Sequence, residues 1–191
     1  MSGYSLVGLA VGHLLPGPVD PRQQRFDVRR LHGRAAPDPQ TGRCRAVRID
    51  VVARALGFKN MDAFNEAMVT HASNHPTLAV APTSHATRLG KHSADLTVKP
   101  KGPVAAFEKM IGRGVDEFIE RLGTDSNHPF IAHRPRKWHL AVWAIVLEGE
   151  GYQVSHIHRS AWLSGVYYAQ VPDIVNEEGE KGWIEFGEPG P

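Results

Sequence analysis

The chain carries a single cysteine, Cys44. One thiol cannot close an intramolecular disulfide and offers no paired spacing for a zinc knuckle, so the sequence fits a reducing, cytoplasmic compartment. Long apolar runs are missing too: nothing approaches the roughly 20 consecutive apolar residues of a membrane span. The opening segment SLVGLAVGHLLPGP has a short apolar core like that of a signal peptide. No basic residue precedes it, however, and His13 interrupts it, so export is not the expected fate. There is no glycine-rich phosphate loop and no internal repeat, which removes P-loop nucleotide hydrolases and solenoids. Charge of one sign is also scarce, with a formal net charge of +2. Residues 1–50 hold eight Lys/Arg against four Asp/Glu, and residues 150–191 hold two against seven. The early arginines are interleaved with Pro and Gly rather than set along a helix face. They read as a solvated segment, and no nucleic-acid partner is expected.

What remains is enough chain for one ordinary domain: 191 residues, 41% hydrophobic and 22% charged. Residues 1–43 contain Pro16, Pro18, Pro21, Pro37 and Pro39 among glycines and read as a loop-rich or poorly ordered lead-in. Order is expected from about Arg45. VRIDVVARALGF has helical spacing and stops at Gly57, and NMDAFNEAMVTHA has Asn60 as N-cap with Phe64, Ala67 and Met68 on one stripe. HPTLAVAPTSHATRLGKHSADL reads as turn-rich. GPVAAFEKMIGRGVDEFIERLG is the longest helical pattern, with Val104, Phe107, Met110, Ile111, Val115, Phe118, Ile119 and Leu122 inward and Gly123 as the stop. After NHPF the apolar period drops to two. WHLAVWAIVLEGEGYQVSHIH reads as strand, glycine-centred turn, strand; WLSGVYYAQVP is a strand closed by Pro172; WIEFG is a last short strand. The expected class is α+β, with a helical support region over residues 44–127 and a β half over 128–191.

His156 and His158 carry the strongest chemical signal. On a strand, residues two apart point to one face about 7 Å apart along the chain, so the two imidazoles can lean toward one ion such as Fe, Zn, Cu or Ni. A third ligand has to come from elsewhere, and Trp162, Leu163, Val166 and Tyr168 are candidates to line a pocket. The chain has eleven histidines. On spacing alone His13, His32, His71, His75, His85, His92, His128, His133 and His139 are ordinary surface or hydrogen-bonded residues. Three designs place His-x-His on a strand. A large α/β barrel hydrolase needs about 250 residues. A cupin barrel wants Glu four or five positions after the pair, where Trp162 and Leu163 stand here. The third is the double-stranded β-helix.

The run HPFIAHRPRKWHLAVWAIVLEGEGYQVSHIHRSAWLSGVYYAQVPDIVNEEGEKGWIEFGEPGP resembles the catalytic domain of 2-oxoglutarate/Fe(II)-dependent oxygenases, in the branch associated with tetratricopeptide repeats. HIH…WLSGVYY…GWIEFG is the specific part. FKNMDAFNEAM, HPTL and SHATRLGKHSADL are similar to that branch as well, so the resemblance spans about Arg45 to Pro191. It implies N-terminal helices packed on an antiparallel double-stranded β-helix (jelly-roll) core. It also implies that His156 and His158 bind Fe(II), that 2-oxoglutarate is the cosubstrate, and that O₂ is used to hydroxylate a C–H bond. Two positions depart from the wider pattern: His158 stands where most such enzymes have a carboxylate, and Arg159 where the family usually has Pro. The resemblance places a distal His ligand and a cosubstrate-anchoring Arg after IEFG. The core is therefore expected to be truncated at Pro191, with open edges that favour a homodimer. Gln153 and Tyr168 are the candidates for holding 2-oxoglutarate within this chain. The substrate, a small molecule or a protein, is not legible. The alternatives are a catalytically inactive β-domain or regulatory binding module, and a cupin-like metalloprotein.

Overall fold

The computed structural model describes residues 5–14, 53–54, 56–121, 127, 129–158 and 160–176. After Ala53 and Arg54, which are helical, helix α1 (Met61–Ser73) begins where the sequence supplies a cap: Asn60 is extended and its Oδ1 accepts the Ala63 N–H at 3.0 Å. Gly57, at φ +90°, turns the chain into this cap, a conformation a side chain would disfavour. Phe64, Met68 and Ala72 recur at helical spacing and are buried. The second helix, α2 (Val104–Arg121), is entered through Gly102 at φ +49°. Val104, Phe107 and Val115 are buried along the expected stripe, Met110 and Ile111 pack beside it, and Phe118 reaches Phe130 and Trp162. Phe130 belongs to the short helix α3 (Pro129–Ala132). Leu122 and Gly123 lie outside the described residues, as do Cys44, the segment before Ala53 as far back as residue 15, and WIEFG.

The strands are β1 (Ser5–Leu14), β2 (Ala79–Val80), β3 (Thr87–His92), β4 (Leu140–Gln153) and β5 (Ala161–Gln170). They form one open, five-stranded antiparallel sheet in the order β2-β3-β4-β1-β5. A 3₁₀ turn, Asp173–Asn176, follows β5. Three expectations change. Ser5–Leu14, read as part of a loop-rich lead-in, is a strand hydrogen-bonded on both sides by β4 and β5. Its Val7, Leu9 and Val11 alternate with Gly8, Ala10 and Gly12, a strand period that the prolines after it obscure. The turn-rich stretch after α1 contains β2 and β3, so residues 44–127 are not purely helical. EGEGYQ is not a hairpin turn. β4 continues to Gln153 with an irregularity between its pairings Gly90↔Leu147 and Arg88↔Tyr152, and Gly149 takes φ +60° within it.

Both helices α1 and α2 serve one face of the sheet. Leu140, Val142, Ala144 and Val146 of β4, with Tyr167 and Ala169 of β5, are buried against Phe64, Met68, Leu96, Val104 and Phe107. The class is thus mixed helix and antiparallel sheet, as expected. Among the described residues the sheet is a single open layer, and the second layer of a jelly roll is not seen. The opposite face of β4, with Ala141, Trp143, Ile145 and Leu147, is half-buried, and neither α1 nor α2 covers it among the described residues.

Candidate metal site

β4 and β5 flank β1 and are each antiparallel to it, so they run parallel to each other. Glu148 is level with Ser5 and Ala161 with Leu14. Nine residue steps of strand cover about 30 Å. The chain between Gln153 and Ala161 must therefore travel back along the sheet, and it carries His156 and His158 with it. This corrects the strand placement expected for the pair: both lie in the irregular connection after β4. The Val154 N–H donates to Ala86 O at 3.0 Å as the chain leaves β4, and the Ala161 N–H donates to His158 O at 3.0 Å as it enters β5.

The connection nonetheless brings the rings together. The His156 and His158 centroids are 5.0 Å apart and the rings are nearly perpendicular. The Nδ1–H of His156 donates to the carbonyl of Val154 at 2.8 Å, so Nε2 keeps the lone pair. His158 packs on the indole of Trp143 at 5.2 Å, which fixes the connection to the helix-free face. Trp143 also lies nearly parallel to His92 of β3 at 6.1 Å, and His85 stands 4.5 Å from His92. His92 likewise donates Nδ1–H to a backbone carbonyl, that of Ser93 at 2.7 Å. Burial, then the neighbouring charges of His156 and His92, holds the His158 imidazolium below its ordinary range. Burial does the same to His92, opposed by its Ser93 hydrogen bond and assisted by His85. Neutral rings with free nitrogens are the form that binds metals.

Spacing reasoning passed over His85 and His92. Their positions in SHATRLGKHSADL have no ligand-like period, and only the pairing of β3 with β4 carries them beside Trp143. Of the proposed cosubstrate residues, Gln153 is level with Thr87 and donates its amide to the Thr87 hydroxyl at 3.3 Å. Tyr168 is level with Gly8 of β1, and burial raises its phenol above the ordinary range, so it keeps its proton. Two residues before Val166 on β5, the Ser164 hydroxyl oxygen is buried with no hydrogen-bond partner among the described residues. Among the described residues no three His, Cys, Asp or Glu side chains stand close enough to share an ion.

Residues 141–191 match a family model described as "Putative 2OG-Fe(II) oxygenase". The matched segment holds Trp143, both histidines of the connection and all of β5. No curated protein and no solved structure matches the chain. No described helix is long and apolar enough to cross a membrane.

Proposed function

We propose that the chain is a 2-oxoglutarate/Fe(II)-dependent oxygenase, a hydroxylase, whose metal is held by His156 and His158. The observation that carries this is the pairing of the two imidazoles 5.0 Å apart, one of them anchored through Nδ1, inside the segment that matches the oxygenase family. Imidazole donors suit Fe(II), and an Nδ1–H bonded to a carbonyl is the usual support of a ligating histidine. Bound together, Fe(II) and 2-oxoglutarate supply O₂-dependent hydroxylation of a C–H bond, with succinate and CO₂ as coproducts. The chain's own residues have simpler tasks. Trp143 covers His158 on one side, while His156 is exposed. Tyr168 keeps its hydroxyl proton on β5, and Gln153 is tied to Thr87 of β3 at the far end of β4. The open five-stranded sheet is then one layer of a double-stranded β-helix, with a second copy of the chain as the partner for its free edges. A clean monomer by light scattering removes that last point.

Anaerobic titration with Fe(II), followed by 2-oxoglutarate turnover in air, tests the reading. Near-stoichiometric binding is expected, with succinate formed, and both lost in the His156→Ala, His158→Ala double variant. Iron binding that the double variant leaves unchanged rejects it. The lack of a closed three-donor set among the described residues favours a second reading, a regulatory β-domain without catalysis. Metal and 2-oxoglutarate binding without succinate would select it.

A further inference from the structure

We propose that the turn between α3 and β4, HRPRKWH (133–139), docks an acidic segment of a protein substrate, with Arg134, Arg136 and Lys137 taking its carboxylates at the histidine end of the sheet. The substrate role rests on the proposed oxygenase activity; binding of the acidic segment does not.

The first support is charge. The sequence has no Asp or Glu from Ser126 to Leu147, while the turn sets Arg134, Arg136 and Lys137 almost side by side. All three are exposed, as are His133 and His139. Lys91 is paired with Glu148 and Lys101 with Glu108, whereas none of these three cations forms an ion pair among the described residues. The second support is the base beneath the turn. Trp138 is half-buried against the core, with its ring over Gly112 of α2, where a Cβ would stand 3.6 Å from it. The Arg134 N–H donates to Ile131 O at 3.1 Å as α3 ends. The cations therefore project from a fixed support rather than a loose tail, which lowers the ordering cost of binding. Lys109 and Arg113 share the Gly112 face of α2 with Asp116, so the helix adds positive charge beside the turn.

The third support is position. Phe130 of α3 stacks on Trp162 at 4.7 Å, and its carbonyl accepts the Trp162 Nε1–H at 3.2 Å. The next residue back, Ala161, gives its N–H to the His158 carbonyl at 3.0 Å. The turn thus stands at the end of the sheet where the histidine connection enters β5. The acids of β4, Glu148 and Glu150, lie toward its other end, about 27 Å or more from Leu140, so an acidic chain is drawn to the end that holds the turn.

An acidic protein segment fits this surface better than a nucleic acid. Guanidinium forks match carboxylates in pairs. A single-stranded nucleic acid also needs aromatic faces free for its bases, and Trp138 packs onto α2 instead. A net charge of +2 is small for a polyanion binder.

Fluorescence anisotropy of the full chain with a short labelled peptide of alternating Glu and Ser, and with its Gln counterpart, tests this. The Glu peptide should bind, weaken as salt is added, and lose at least about tenfold in affinity in the Arg134→Gln, Arg136→Gln, Lys137→Gln variant, whose urea midpoint should be unchanged. The Gln peptide should not bind measurably, and Lys99→Gln, which removes an exposed cation ahead of α2, should leave the affinity as it was. Equal binding of the two peptides overturns the docking site, and so does a triple variant that holds the Glu peptide as tightly as the unmodified chain. Tighter binding of single-stranded DNA or of phosphatidylserine vesicles than of the Glu peptide overturns it as well. The His156→Ala, His158→Ala variant should bind the Glu peptide normally. A failed oxygenase reading therefore shows in the Fe(II) titration alone and removes only the substrate role, whereas a failed docking site shows in the anisotropy alone.

Discussion

Replacing Phe107 by Ala tests whether the helical layer is fastened to the sheet as described. Phe107 is fully buried, tilted on Tyr167 of β5 at 5.3 Å and stacked with Phe64 of α1 at 6.5 Å. It is the side chain through which α1, α2 and β5 meet. Losing the ring forfeits about 2–3 kcal/mol of apolar transfer, and the cavity left among Phe64, Val104 and Tyr167 adds to it, for about 4 kcal/mol in all. That is a large part of the roughly 5–15 kcal/mol that holds a typical domain. With a urea dependence of about 2 kcal/mol/M, the unfolding midpoint should drop by about 2 M. Phe107→Leu keeps most of the volume and should lose only about 1.5 kcal/mol. Its metal affinity under native conditions should match that of the unmodified chain, because the histidines lie on the opposite face. A loss below about 1 kcal/mol for Phe107→Ala would refute the packing. A metal affinity that changes in Phe107→Leu would refute the independence of the two faces.

The hydroxyl of Tyr167 donates to Asn65 Oδ1, and a double-mutant cycle of Tyr167→Phe with Asn65→Ala should return a coupling of about 1 kcal/mol by urea denaturation; additivity would mean the bond contributes nothing. A Cβ on Gly90 would stand 2.7 Å from Leu147 Cδ2 and 2.9 Å from the Val146 carbonyl, so Gly90→Ala should lose about 1–3 kcal/mol. It should also shift β3 against β4 and move His92 off Trp143, visible as a change in the His92 ring proton resonances. Burial, then the charge of His75, holds the His71 imidazolium below its ordinary range. The stability this contributes is present above the unfolded value near 6.5 and is lost as pH falls beneath it. His92 and His158 act with the same sign, so His71→Gln should make the decline of the urea midpoint between pH 7.5 and 5 shallower without removing it; an unchanged slope would contradict the assignment.

Periodicity was enough wherever an element depends on its own residues. Asn60, the Phe64–Met68 stripe and the Val104–Phe107–Val115 stripe are local patterns, and the structure places them as read. WLSGVYYAQ is a strand for the same reason. What was not legible depends on partners distant in sequence. Thr87–His92 looks like turn because its pattern is broken by Gly90, and pairing with β4 and β2 makes it a strand. Ser5–Leu14 is followed by a proline- and glycine-rich stretch, and its strand character comes from lying between β4 and β5. The two imidazoles do stand side by side, but in the connection after β4 and not on a strand as the spacing suggested. The parallel relation of β4 and β5 demands a return path, and no local pattern encodes that demand. His85 and His92 were invisible for the same reason as β3 itself.

The alternation that buries Val142, Ala144 and Val146 also decides where chemistry can occur. Side chains on β4 switch faces at every residue, so a slip by one position would bury Trp143 under the helices and expel Val142. The core therefore holds Trp143, and with it His92 and His158, on the side the helices leave open. The register of β1 shapes that side further. Gly8 is level with Ile145 and Tyr168, Ala10 with Trp143 and Val166, and Gly12 with Ala141 and Ser164. The connection that carries His156 and His158 returns over the same side. Trp143 of β4, His92 of β3 and His158 of the connection come from three segments apart in sequence. Their convergence on one face is a stronger argument for a ligand there than the His-x-His spacing alone.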